Sequence, residues 1–104
     1  MGVKEIAWLA GLLEGEGSFT INRTNGSSYA RLQVGMNDQD VIQHAADVLQ
    51  TRVYGPYGPY LINRQPNYRV LLHGRSAMVW MRKLYPLLGM RRRAQIDKVL
   101  QKCL

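Results

Sequence analysis

Leu9-Ala10-Gly11-Leu12-Leu13-Glu14-Gly15-Glu16-Gly17-Ser18-Phe19 is the stretch on which the architecture turns. Its first half continues a helical pattern from Lys4 to about Gly15. Ile6, Leu9, Leu12 and Leu13 gather on one side, and Ala7, Ala10 and Gly11 on the other. A helix that is apolar all round is buried all round. The large residues suit the domain's own core, and the small ones allow another backbone to come close. The alternative is a core helix packed only on its own sheet. After Glu16 the period changes from helical to alternating. Phe19 and Ile21 face one way, and Ser18, Thr20 and Asn22 the other.

Working outward, Thr24 to Ser28 reads as a turn around Asn25-Gly26, and Tyr29 to Met36 alternates again. Asn37 or Asp38 is placed to cap a helix reaching about Gln50, with Val41, Ala45, Val48 and Leu49 inside. A second strand pair follows, about Arg52 to Arg64 and Asn67 to His73, turning at Gln65-Pro66-Asn67. Pro56 and Pro59 cannot donate to a ladder, so an edge strand or a bulge is expected there. Ser76 caps a helix to about Leu88, distorted by Pro86 and ended by Gly89; Arg91 to about Cys103 is the last helix. The order αββαββαα predicts an α+β fold, a four-stranded antiparallel sheet with helices on one face.

The chain has 104 residues, which suits one domain, 1–104. Fourteen Lys and Arg against seven Asp and Glu leave a net charge of +7. That excess selects a polyanionic partner. Nucleic acid fits better than an anionic membrane, because the basic residues are spread through strands as well as helices. No run approaches a membrane span of about 18 apolar residues, and Met1 to Ile6 carry no signal-peptide pattern. Cys103 is the single cysteine, so no intrachain disulfide forms. A soluble intracellular protein is expected.

Acidic residues are absent from Ser18 to Met36 and from Gln50 to Ile96. An ordinary solvated surface mixes both signs of charge. The polar faces of the two hairpins are therefore the expected reader of duplex DNA, since a two-stranded ribbon fits the major groove. The candidates are Thr20, Asn22, Arg31 and Gln33 from the first hairpin, and Asn63, Arg64, Asn67 and Arg69 from the second. Arg23, Ser27, Ser28 and Tyr29 are candidates for bases or phosphates. Glu16 lies just past the end of the first helix, between Gly15 and Gly17, where the helix dipole disfavours a carboxylate unless a cation offsets it. Arg91-Arg92-Arg93 opens the last helix, where the dipole disfavours cations unless a phosphate is near. His44 and His73 have no partners at metal spacing.

The stretch from Leu9 to Phe19 resembles the signature of the LAGLIDADG homing endonucleases, with Glu14 and Glu16 where the name has Asp and Gly15 for its second Ala, and the element order resembles one repeat of that family. The resemblance implies a saddle-like sheet and a site-specific endonuclease that makes a metal-dependent double-strand break. It implies Mg²⁺, or another divalent cation such as Mn²⁺ or Ca²⁺, held by Glu16 with Gly15. The motif occurs once here, as in family members that act as homodimers through the first helix on near-palindromic targets. A basic residue near the start of the last helix assists at the scissile phosphate in the family; Arg91 matches best and Arg93 second. A polar residue after the second strand, Asn37 or Gln39, orients water. Such enzymes serve intron or intein mobility, in a bacterial or phage cytoplasm or an organelle. The competing reading is a non-cleaving nucleic-acid-binding module of the same fold, an RNA-splicing helper (maturase) or a regulator.

Overall fold

A computed structural model describes residues 2–58 and 66–103. The first helix, α1, spans Val3–Glu16 and buries Leu9, Ala10 and Leu13. Gly2 N–H donates to the Glu5 carboxylate at 2.9 Å, anchoring the start. Gly17 N–H closes the last turn on the Leu13 carbonyl. A Cβ at Gly17 would lie 2.5 Å from Leu13 Cδ2 and 3.0 Å from Leu13 Cα, so glycine is what allows the chain to leave the helix directly into a strand.

Strand β1 covers Gly17–Thr24 and β2 Ser27–Met36. The turn is tighter than expected: Thr24 pairs with Ser27, and only Asn25 (φ 52°) and Gly26 (φ 80°) lie between. Two successive positive φ values make the turn whose twist matches a hairpin, and Asn-Gly tolerates them. Helix α2, Gln39–Leu49, follows without a side-chain cap from Asp38. Its deepest residue is Ile42, fully buried, whereas Val41 of the expected stripe is only half-buried. His44 stacks on Trp8 of α1, centroids 4.0 Å apart, and so joins the two helices.

The second pair is β3, Tyr54–Tyr57, and β4, Asn67–His73. The Gly55-Pro56 peptide is cis, and β3 is an edge strand, as Pro56 predicts. Residues 59–65 lie outside those described, so the Gln65-Pro66-Asn67 turn is only partly seen, and Asn63 and Arg64 are not. Helix α3 runs Gly74–Leu84, its cap at His73 three residues before the expected Ser76. Ser76 does not cap it from outside; its hydroxyl donates to the His73 carbonyl at 3.1 Å. Pro86 cannot donate in the last turn, and a 3₁₀ turn, Tyr85–Leu87, replaces the α-helix there. Helix α4 is Met90–Lys102.

The strand order is β1-β2-β4-β3, all antiparallel, so the two hairpins join through β2 and β4. On one face Phe19, Ala30, Leu32, Val34 and Val70 are buried under α4, α3 and α2. Leu9, Leu13, Met81, Leu84, Ile96 and Val99 complete that core. The flat shape, 42 × 38 × 24 Å, is that of one sheet layer and one helix layer.

Ala10 departs from its expected place. It is 3% exposed and belongs to the chain's own core, not to a seam for a second copy. The small residues left exposed on α1 are Ala7, Gly11 and Gly15, four apart, and a Cβ at Gly11 or Gly15 would meet nothing within 4 Å.

Candidate nucleic-acid interface and carboxylate site

Strand register decides which side chains share the face away from the helices. Thr20 lies opposite Arg31 and Arg31 opposite His73, so these form one row. Ser18, Gln33 and Leu71 form the next, and Asn22 pairs with Tyr29. Gly35 lies opposite Arg69, which lies opposite Tyr54. Thr20, Asn22, Tyr29, Arg31, Gln33, Asn67 and Arg69 therefore share one side of the sheet. All are exposed or half-buried. A Cβ at Gly35 would come within 3.1 Å of Asn67 Oδ1 and 3.3 Å of Arg69 Cγ, so the missing side chain makes room for these two.

Several of these groups are already oriented. Tyr29 Oη takes a hydrogen bond from Asn22 Nδ2 (3.3 Å) and shares another with Thr24 Oγ1 (3.0 Å). Its ring meets His73 edge-on at 6.0 Å. The Arg69 guanidinium lies 5.0 Å from the Tyr57 ring centre. The Arg31 Nε is buried and has no hydrogen-bond partner among the described residues. A buried donor without an acceptor is costly, and an incoming acceptor would relieve it. Arg23 and Ser28 pair with each other on the opposite, helix-side row at the exposed hairpin tip, so they do not extend the polar rows.

Glu16 is exposed as the last residue of α1, inside the helix and not just beyond it, and two residues before the polar row opens at Ser18. The last carbonyls of a helix lack intrahelical partners. Here Leu13's accepts from Gly17 and Glu14's from Arg92 Nε at 3.0 Å. Gly15, the residue before Glu16, is exposed as well. Oxygen donors alone suit a hard divalent cation. No group of three His, Cys, Asp or Glu that could hold a metal ion exists among the described residues.

Glu14 is turned toward the start of α4. Its Oε1 accepts from Gly89 N–H at 2.5 Å, ahead of α4. Arg92 is the counterpart: 6% exposed, it reaches the end of α1 and also donates to Gln95 Oε1 at 3.0 Å. Burial lowers its pKa first and the Arg91 charge further, while Glu14 and then Glu16 oppose that shift.

The two arginines singled out from the sequence behave differently. Arg91 is exposed. Arg93 is committed to the 3₁₀ turn instead of standing free for phosphate. Its Nε donates to the Leu88 (2.8 Å) and Tyr85 (3.1 Å) carbonyls and its Nη2 to Pro86 O (3.0 Å). Asn37 is exposed and precedes the helix cap, which falls on Asp38, so it has no capping role.

Arg92 and His73 were both missed in the sequence, yet each had a signal. Arg92, Ile96 and Val99 share helical spacing, which places an arginine on the buried stripe. His73 is in phase with Asn67 and Arg69 along β4.

The fold is that of the LAGLIDADG homing endonucleases. The chain superposes on the homing endonuclease I-CvuI, crystallised on a target DNA with magnesium and the DNA not cleaved (TM-score 0.65, 20% identity, 94% of this chain and 64% of that one). It also superposes on I-CeuI, a group I intron-encoded enzyme complexed with DNA (0.64, 17%, 96% and 54%). A third match is the archaeal intron-encoded I-Vdi141I, again with DNA (0.66, 11%, 89% and 63%). The chain thus spans less than two thirds of each of these proteins. No family model and no curated sequence matches it. No described helix is long and apolar enough to cross a membrane.

Proposed function

We propose that this chain, as one domain over 1–104, is a site-specific endonuclease that cuts both strands of a long near-palindromic DNA target as a homodimer. The observation that carries the reading is the placement of Glu16: an exposed carboxylate at the end of α1, directly before a strand whose outward row is polar and free of acid.

The sheet reads the duplex. Arg31 and Arg69 suit guanine, Asn22, Gln33 and Asn67 suit adenine, and Thr20 suits either donor or acceptor edges. Tyr29 is held for a base or phosphate by its bonds to Asn22 and Thr24. Glu16 and the Gly15 carbonyl would hold Mg²⁺, or another divalent cation, with phosphate oxygens and water filling the shell. When bound, the ion would lower the pKa of water and steady the leaving oxygen. Two strands need two carboxylates, and a second copy packed along Ala7, Gly11 and Gly15 supplies the other. Asn37 orients the attacking water, and Arg91 offsets charge at the scissile phosphate. Two of the three structural neighbours are intron-encoded, which supports a role in intron homing inside a cell.

The test is selection of cleaved sites from a randomised plasmid library, with Mg²⁺ and then with chelator. On the recovered site, Glu16→Gln is expected to bind in a mobility-shift assay and not to cut. Undiminished cutting by Glu16→Gln removes the carboxylate from the reaction. Binding without cutting by the native chain would favour the regulator or maturase reading.

A further inference from the structure

The sheet ends unevenly. His73 pairs with Arg31, and the chain then turns into α3 at Gly74, so β4 stops while β2 continues. Residues Ser27 to Ala30 of β2 pair only with β1, and their other edge is left without a strand. A notch of about 410 Å³ lies between that edge and the start of α3. Its walls include Ser28 and Tyr29 on one side, and Arg75, Met78 and Arg82 on the other.

We propose that this notch clamps the phosphate backbone of DNA that flanks the stretch read by the sheet, with Arg75 and Arg82 as its cations. Residues 75, 78 and 82 are three and seven apart, so they share one face of α3. Both arginines are exposed, and no acidic residue lines the notch among the described residues. Their Cα positions lie about 10 Å apart along the helix axis, room for more than one phosphate. Arg75 stands in the first turn of α3, where a cation opposes the helix dipole; a phosphate there would relieve the conflict. Ser28 adds a hydroxyl, and the unpaired β2 edge adds main-chain donors. The notch is continuous with the polar face, because Tyr29 belongs to both.

The clamp rests on the DNA-reading role proposed for the sheet, and the experiment separates the two. The probe is a 30-base-pair duplex of random sequence, an arbitrary length of about three helical turns, titrated by fluorescence anisotropy over a salt series. Removing one cation from a phosphate reduces the slope of log K against log salt by about 0.9, so Arg75→Gln with Arg82→Gln should lower it by about 1.8 for each bound chain, or about 3.6 for a homodimer with both notches engaged. Arg75→Lys with Arg82→Lys should restore it. Thermal melting of the variants is expected to match the native chain, since both side chains are exposed. An unchanged slope in the Gln pair, with a reduced slope in Arg31→Ala/Arg69→Ala, overturns the clamp and leaves the sheet reading intact. If neither pair changes the slope, both fail. A loss in the Gln pair seen only with a single-stranded RNA of equal length overturns the assignment to DNA.

Discussion

Arg92→Ala is the substitution most revealing of how the carboxylate site is held. Arg92 Nε satisfies the Glu14 carbonyl at the end of α1, and Nη1 donates to Gln95. The side chain is nearly buried, so water cannot freely replace it. Removing it deletes two charge-assisted hydrogen bonds and leaves a helix-end carbonyl short of a partner. Hydrogen bonds to charged groups contribute about 1.5–3 kcal/mol each before the relief of burying one charge less is counted, so a net loss of about 2–4 kcal/mol is expected. At about 5 °C per kcal/mol for a domain of this size, the melting temperature should fall by roughly 10–20 °C. The assay is thermal unfolding followed by circular dichroism, with Arg91→Ala as the neighbouring control. Arg91 is exposed and should shift stability by less than about 0.5 kcal/mol. A drop below about 3 °C for Arg92→Ala, or an equal drop in both variants, would refute the idea that this buried arginine clasps α1 to α4.

Gly11→Lys separates folding from association. Gly11 is exposed, with nothing within 4 Å of an added Cβ, and lysine is the better helix former by roughly 0.5–1 kcal/mol. The monomer should gain stability while sedimentation shows loss of the dimer; a Gly11→Lys dimer as tight as the native one would move the interface off α1. Tyr85 donates to Asp97 Oδ2 at 3.0 Å, and this bond, followed by burial, raises its phenol above the ordinary 10.0. Folding therefore keeps this contribution below the ordinary phenol pKa and loses it as pH rises through the higher folded value. Denaturant midpoints should fall less steeply above about pH 10 in Tyr85→Phe than in the native chain; parallel curves would contradict it.

Periodicity along the chain was enough for the element order, because a helix and a strand repeat at different intervals and each had a face to bury. It also placed Thr20, Asn22, Arg31, Gln33, Asn67 and Arg69 on common sides of their own strands. Glu16 was singled out by the resemblance of the motif around it, while the local pattern shows only that helical spacing stops there and alternation starts. What tertiary structure alone decided is which of several similar residues turns inward. Three adjacent arginines look alike in sequence, yet Arg91 stays in solvent, Arg92 is buried against the end of α1, and Arg93 is tied to the 3₁₀ turn. Ala10 and Gly11 are equally small, but the core takes one and leaves the other exposed. The notch exists only because β4 ends before β2 does, a difference of register between strands far apart in the chain. Pattern is a property of neighbours along the chain, whereas burial and partnership depend on which distant segments pack, and that is resolved only when the whole sheet and its helices assemble.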